Sequence, residues 1–139
     1  MAADDVQVVN GGREMVVDAI LALGATAPAW LQWGVGSSPT DPTDTDLETK
    51  TDCNEARTDA TAADSKVSNY TYRVVGTITK ALPIATSAII RELGSFNADG
   101  AGGPPVSGGT MFIHAMFDAI SLNVGNAIEF TVDTLVTAT

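Results

Sequence analysis

The chain has 139 residues, of which 45% are hydrophobic and 17% are charged, so it is long and apolar enough to bury the core of one domain. Seventeen acidic residues against seven basic ones give a net charge of −10. This charge argues against binding to nucleic acid or to an anionic membrane, because both depend on Lys and Arg. A single cysteine, Cys53, rules out an intrachain disulfide. The acidic N-terminus and the short apolar run at residues 15–23 predict a soluble, non-exported protein.

The first predicted element is a helix over residues 11–24, with Asn10 as its N-cap and Gly24 as its C-cap. At helical spacing one face carries only apolar side chains, namely Met15, Val16, Ala19, Ile20 and Leu23. An extended segment, residues 29–35, follows and carries Trp30 and Trp33. Their odd spacing places them on opposite sides of a strand, which predicts one core tryptophan and one interface tryptophan. We assign Trp33 to the interface.

Residues 36–65 are rich in Asp, Thr, Ser and Pro and predict a long acidic loop, with a helical turn near residues 46–54. Six of its residues match the spacing of a calcium loop: Asp44, Asp46, Glu48, Lys50, Asp52 and Glu55. Thr49, however, stands where the sharp turn of such a loop needs Gly, and no helix pair flanks it. We therefore interpret the segment as a solvated loop without a metal. Because it has little apolar content, we expect it and the arm at residues 1–10 to become ordered on a partner.

Four strands are predicted in the second half of the chain, at residues 67–80, 87–96, 110–117 and 127–136. The first alternates polar and apolar residues, and Gly76 within it predicts a bulge. Turns rich in Gly lie at residues 97–109 and 123–126. The pattern predicts a mainly β fold, an antiparallel β-sandwich of jelly-roll type with one N-terminal helix. We expect residues 1–139 to form a single domain with a long acidic loop at about 36–65.

No group of residues in the sequence predicts catalysis. The only histidine, His114, stands in an apolar strand with no evident nucleophile or base, so we expect a packed or interface histidine. Cys53 lies among acidic residues that disfavour a thiolate. Glu92 follows Arg91 in an apolar strand, and we expect it to form a structural ion pair, for example with Arg73. The chain is predicted to have no enzymatic activity, no cofactor and no metal.

Three pieces of the sequence, in order, resemble a family of tailed-phage virion proteins. They are a strand ending in a glycine turn (WLQWGVGSSPT), the element TDTDL at residues 43–47, and the pair ELGSF and GGTM at residues 92–96 and 108–111. The nearest type is the capsid cement or decoration protein of a short-tailed phage. The acidic insert after Leu47 is longer than this family leads us to expect.

The resemblance implies a virion structural protein, made in the host cytoplasm, that binds the outside of the capsid shell. The implied partners are the major capsid protein and further copies of the chain, as a dimer or trimer, with no nucleic acid and no membrane. The alternative is a tail-fibre or tail-appendage structural protein with a host-binding role. We expect the partner contacts to include Trp33, Asp41, Asp44, Asp46, Arg73, Pro104 and Pro105.

Overall fold

The computed structural model describes residues 3–21, 23–24, 26–50, 53, 55–60, 65–81 and 87–135. Within these ranges the chain forms one helix and eight strands. In chain order they are β1 Asp5–Val8, α1 Asn10–Ile20, β2 Trp30–Gly34, β3 Thr58–Asp59, β4 Ser65–Ser68, β5 Thr71–Thr79, β6 Ser87–Phe96, β7 Met111–Asn123 and β8 Ala127–Leu135. The predicted class is confirmed: the fold is mainly β, a sandwich of antiparallel sheets with one N-terminal helix.

The two sheets differ in width. The five-stranded sheet has the order β1-β7-β6-β2-β3, and the three-stranded sheet has the order β4-β5-β8. All neighbours within both sheets run antiparallel. β1 and β8 are therefore edge strands, and the wider sheet extends beyond the narrower one. The expectation of an N-terminal arm ordered only by a partner is wrong for β1, because this strand is already paired with β7.

The main core lies between the two sheets. Its buried side chains include Leu31 and Trp33 from β2, Val74 and Ile78 from β5, and Ile90 and Leu93 from β6. Burying one such side chain stabilises the fold by about 1.5–3 kcal/mol. Gly76 does not mark a bulge, since β5 and β8 pair in unbroken register through Gly76 and Phe130. A Cβ at this position would lie 2.7 Å from Leu31 Cδ1, so glycine here lets the sheets approach each other.

The predicted strand at residues 67–80 is instead a hairpin. β4 and β5 are joined by a turn at Asn69 and Tyr70, and the Tyr70 side chain is exposed. Tyr72, Val74 and Ile78 do face the core, as the alternation predicted. The hairpin was missed because its turn is short and contains neither Gly nor Pro.

The strand predicted at residues 110–117 is longer than expected, since β7 continues to Asn123. The register between β6 and β7 shifts between Ile90 and Glu92, and beyond the shift Ile90 pairs with Ile120. This irregularity breaks the alternation in the sequence and explains the early end of the predicted strand. The last predicted residue of β8, Val136, lies outside the described residues.

The outer face of the five-stranded sheet carries a second layer, made of α1 and residues 36–50. Buried side chains under this layer include Val9, Leu47, Phe96 and Met111, and also Met15 and Phe112. No helical turn forms in the described part of residues 46–54, which is irregular. Residues 36–50 of the acidic loop are thus a packed layer of the domain.

α1 begins at Asn10, with Val9 as its N-cap and no capping side chain, and its C-cap is Leu21. Only part of the predicted apolar face is covered. Met15 is buried, but four large apolar side chains of α1 and the residues after it are 47–66% exposed: Val16, Val17, Leu21 and Leu23. The predicted amphipathic helix is present, but most of its apolar surface faces solvent.

Candidate functional site

A buried carboxylate lies at the centre of the outer layer. Glu92 on β6 has no exposed surface, and its Oε1 accepts hydrogen bonds from the backbone N–H groups of Gly36 and Thr49, both at 2.9 Å. Its Oε2 accepts one from the backbone N–H of Glu48 at 3.0 Å. One side chain therefore fixes both ends of the segment 36–49 to the sheet.

His114 on β7 completes the arrangement. Its Nε2 lies 2.9 Å from Glu92 Oε2, and its Nδ1 lies 2.7 Å from Asp44 Oδ2. Each ring nitrogen thus faces a carboxylate oxygen, which is the environment of an imidazolium that donates from both nitrogens. We call Glu92, His114 and Asp44 the carboxylate–histidine cluster.

The charges in the cluster stabilise one another. Burial acts to lower the pKa of His114, but the hydrogen bonds to Glu92 and Asp44 outweigh it and raise this pKa above its ordinary value. Burial acts to raise the pKa of Glu92, but the hydrogen bonds from His114 and from three backbone N–H groups lower it. Both shifts, together with the contacts of the two ring nitrogens, favour an ion pair between the His114 imidazolium and the Glu92 carboxylate.

The cluster has the composition of an acid–base site, but a substrate could not reach its histidine. His114 is 2% exposed, and both of its ring nitrogens are occupied by carboxylates. A general base needs a nitrogen within reach of a substrate proton. What the arrangement does is hold the acidic loop against the five-stranded sheet. The expected ion pair between Glu92 and Arg73 is wrong, because Arg73 lies on the other sheet and pairs with Asp133.

The other acidic residues of the loop do not converge on one point. Asp41 accepts from Thr43, Asp46 pairs with Lys50, and Glu48 accepts from the backbone N–H groups of Ser37 and Ser38. Hydrogen bonds from Thr43 lower the pKa of Asp41, and hydrogen bonds from Ser38 lower that of Glu48. Within the described residues no group of three or more His, Cys, Asp or Glu side chains could hold a metal ion. Asp52 of the calcium-like spacing lies outside those residues.

The predicted partner contacts are scattered over the molecule. The assignment of Trp33 to an interface is wrong, since this side chain is fully buried and its Nε1 donates to Glu55 Oε2 at 3.1 Å. Trp30, its neighbour on the strand, is partly buried on the other face, against the group containing Phe96. Asp44 belongs to the carboxylate–histidine cluster.

The remaining predicted contacts lie on three different segments of the chain. Arg73 is partly exposed on β5, Asp41 and Asp46 lie in the outer layer, and Pro104 and Pro105 lie at the tip of the loop 97–109. The structure does not bring these residues together into one site. Each of them stays a prediction as a contact.

Two buried basic side chains were not singled out from the sequence. The Arg57 guanidinium lies 3.5 Å above the ring of Phe96 and donates to the carbonyl oxygens of Ala98 and Gly108. Burial lowers the pKa of Arg57 below its ordinary value. Lys80 is fully buried and pairs with Glu55 at 3.4 Å. Arg57 stands in a polar stretch and Lys80 at the end of a predicted strand, and in neither place does the sequence distinguish a buried charge from a solvated one.

Cys53 is also buried. Burial raises the pKa of its thiol to about 12, so the thiolate is not formed at neutral pH. This agrees with the expectation that Cys53 is not a nucleophile.

The inner face of the five-stranded sheet is only partly covered. A cleft of about 630 Å³ opens between β8 on one side and β1 and β7 on the other. Its lining is mainly apolar and includes Val6, Leu93, Ile113, Phe117, Phe130 and Val132. Val6 is 54% exposed, although it faces the same side as the core residue Ala115. The cleft is the uncovered margin of the core, at the side where the wider sheet overhangs the narrower one.

No protein family, no curated protein and no solved structure matches the chain. Of the described helical residues, none form a helix that is long and apolar enough to cross a membrane.

Proposed function

We propose that the protein is a structural component of a phage virion, a cement or decoration protein that binds the outside of the capsid shell and stabilises contacts between its subunits. The observation that carries this proposal is the exposed apolar surface at the C-terminal end of α1. Val17, Leu21 and Leu23 are each more than half exposed and lie within seven residues of one another along the chain. Exposed apolar surface of this kind is typical of sites where another protein binds.

The distribution of polar groups supports the same function. The buried acidic, basic and histidine side chains are used inside the domain, to hold the loops to the sheets. The surface therefore offers apolar contact and an excess of negative charge, −10 in all, rather than a reaction site. Many copies that each make such a contact on a symmetric shell would add buried area across the subunit boundaries. A dimer or trimer of the chain on the particle belongs to the proposal.

The test is co-sedimentation of the purified protein with empty capsid shells. We expect the double variant Val17→Asp and Leu21→Asp to melt at nearly the same temperature as the original chain, because both side chains are exposed. Its binding to shells should fall at least about tenfold, equivalent to 1.4 kcal/mol.

The matched control is Val67→Asp, since Val67 is 49% exposed on β4 of the other sheet. Loss of binding in this control as well would point to a general effect of added charge. Tight, salt-sensitive binding to duplex DNA by the original chain would contradict the proposal outright.

A further inference from the structure

We propose that the free edge of β8, together with the apolar cleft beside it, binds an extended segment of a partner protein, one in which apolar residues alternate with Lys or Arg. This inference goes beyond the capsid proposal and does not depend on which protein supplies the segment. It rests on the unequal width of the two sheets and on the chemistry of the residues at the cleft.

The first argument is the backbone of β8. This strand spans nine residues and has β5 as its neighbour on one side only within the described part of the chain. Its other side therefore presents unpaired N–H and C=O groups, which an added strand can pair with. β8 contains no proline, and its two charged residues, Glu129 and Asp133, are both acidic, so they oppose an acidic strand and not a basic one.

The second argument is the floor beside that edge. A strand placed next to β8 would lie over β7 and β1, where Val6, Ile113 and Phe117 line the cleft. Side chains alternate along a strand, so every second residue of the added segment would point into the cleft. Apolar residues at those positions would cover the exposed surface of Val6 and complete the second layer of the sandwich.

The charge at the cleft selects the other residues of the segment. Glu129 and Asp133 both border the cleft, and no basic residue does so within the described chain. Asp133 is paired with Arg73, whereas Glu129 makes no ion pair with any described residue. The outward side chains of an added strand would lie beside those of β8 on the outer surface. Lys or Arg at those positions is therefore favoured over Asp or Glu.

The same geometry argues against a second copy as the occupant. If two copies joined antiparallel through their β8 edges, both five-stranded sheets would lie on one side of the joined sheet. The overhanging strands β1 and β7 of the two copies would then compete for the same space. The pairing would also bring acidic residues of two chains of net charge −10 together. The overhang leaves room for a strand, not for another sandwich.

The experiment uses the full chain and a peptide of about eight residues that alternates valine with lysine. Binding is measured by calorimetry at low and high salt, and the site by hydrogen exchange. We expect the peptide to bind and to protect the amides of β8, with little change in β4. A peptide with glutamate in place of lysine, and a scrambled peptide that lacks the alternation, should each bind at least about tenfold more weakly.

Two protein variants locate the contact. Val6→Ser should weaken peptide binding several-fold, whereas the equally exposed control Val67→Ser on β4 should not. Glu129→Gln, which removes only a charge, should reduce the salt-sensitive part of the affinity. Melting temperatures of all three should stay close to that of the original chain, because these side chains are exposed.

The proposal is overturned if no alternating peptide binds up to about 1 mM. It is also overturned if the scrambled peptide binds equally well, or if the protection appears away from β8. Self-association that protects β8 and is lost in Val6→Ser would identify a second copy as the occupant instead. Failure of shell binding would leave the peptide result unaffected, so the two proposals are tested separately.

Discussion

The two faces of the five-stranded sheet are finished in different ways. The outer face is covered by the loop 36–49, which Glu92 and His114 of the carboxylate–histidine cluster hold in place through hydrogen bonds of 2.7–3.0 Å. The inner face is closed by apolar packing, and at the β8 side the closure is incomplete. On the polar face both carboxylate oxygens of Glu92 and both ring nitrogens of His114 are already hydrogen-bonded, whereas the apolar face has an open edge and an open cleft. In this molecule the buried charges hold loops to the sheets, and the exposed apolar surface is where we propose that a partner binds.

The largest effect is expected at the centre of the polar face. Replacing Glu92 with Ala would leave three loop N–H groups and the His114 cation without their buried acceptor. Breaking a buried ion pair by removing one partner costs about 3–5 kcal/mol. Urea denaturation should show this loss for Glu92→Ala. The control is Glu129→Gln on exposed β8, which should change the free energy of unfolding by less than about 0.5 kcal/mol.

A smaller but sharper comparison uses one glycine from each face. A Cβ at Gly34 would lie 2.3 Å from Glu92 Oε1 of the carboxylate–histidine cluster and 2.6 Å from the carbonyl oxygen of Thr49, in the loop that the cluster holds. At Gly76 the nearest atom is the end of the Leu31 side chain, which can rotate away. Overpacking costs about 1–3 kcal/mol, and we expect Gly34→Ala at or above the top of this range and Gly76→Ala near its bottom. Equal losses in urea denaturation would show that the two faces are equally tolerant.

The polar face should also make stability depend on pH. Because the pKa of His114 is raised in the folded chain, its contribution is complete below the ordinary histidine pKa and is lost as pH rises through the raised value. Each unit of that elevation is worth about 1.4 kcal/mol. The melting temperature should therefore fall as pH rises above the ordinary histidine pKa, and His114→Gln should flatten this fall. This pH range is diagnostic because His114 is the only histidine and the Cys53 thiol has a pKa of about 12.

The acidic side has the opposite sign. Glu92 has a lowered pKa, so its contribution is present above the ordinary glutamate value and is lost as pH falls through the lowered one. Asp5, Asp41 and Glu48 also have lowered pKa values, because backbone and side-chain N–H and O–H groups donate to them. The loss in acid is thus shared among many groups and should persist in His114→Gln. If the melting temperature of His114→Gln changed with pH in neither the alkaline nor the acidic range, the assignment of the acid loss to the carboxylates would be contradicted.

Strand pattern predicted the apolar face better than it predicted the polar one. The alternation in β5 and the run of β6 gave the correct elements, because a period of two follows from one buried face. The same reasoning failed at the β4–β5 turn and at the register shift in β7, where the alternation is broken locally.

The carboxylate–histidine cluster could not be predicted, because it joins Asp44, Glu92 and His114 from three distant parts of the chain. The composition of the loop predicted a solvated segment. Asp and Thr are common both in solvated loops and in loops whose side chains bind the backbone of a neighbouring segment, so composition does not separate the two cases. A weak signal was present: a glutamate in the middle of an apolar strand and a histidine in the next one need partners. Of the carboxylates in the spacing that resembled a calcium loop, Asp44, Asp46 and Glu48 each bind a different partner within the layer.

The smallest effect is expected for the ion pair between Arg73 and Asp133 on the outer surface of the three-stranded sheet. The two side chains meet through two hydrogen bonds of 2.6 Å, and this contact raises the pKa of Arg73 and lowers that of Asp133. Both are about 40% exposed, at 39% and 42%, so water and salt screen their attraction. Arg73→Ala and Asp133→Ala, alone and together, should therefore change the melting temperature only slightly. The change should be smaller still in high salt. A large coupling energy between Arg73 and Asp133 that persisted in high salt would mean that this pair is as well shielded from water as Glu92 and His114. The contrast between the buried polar face and the exposed sheet would then fail for this pair.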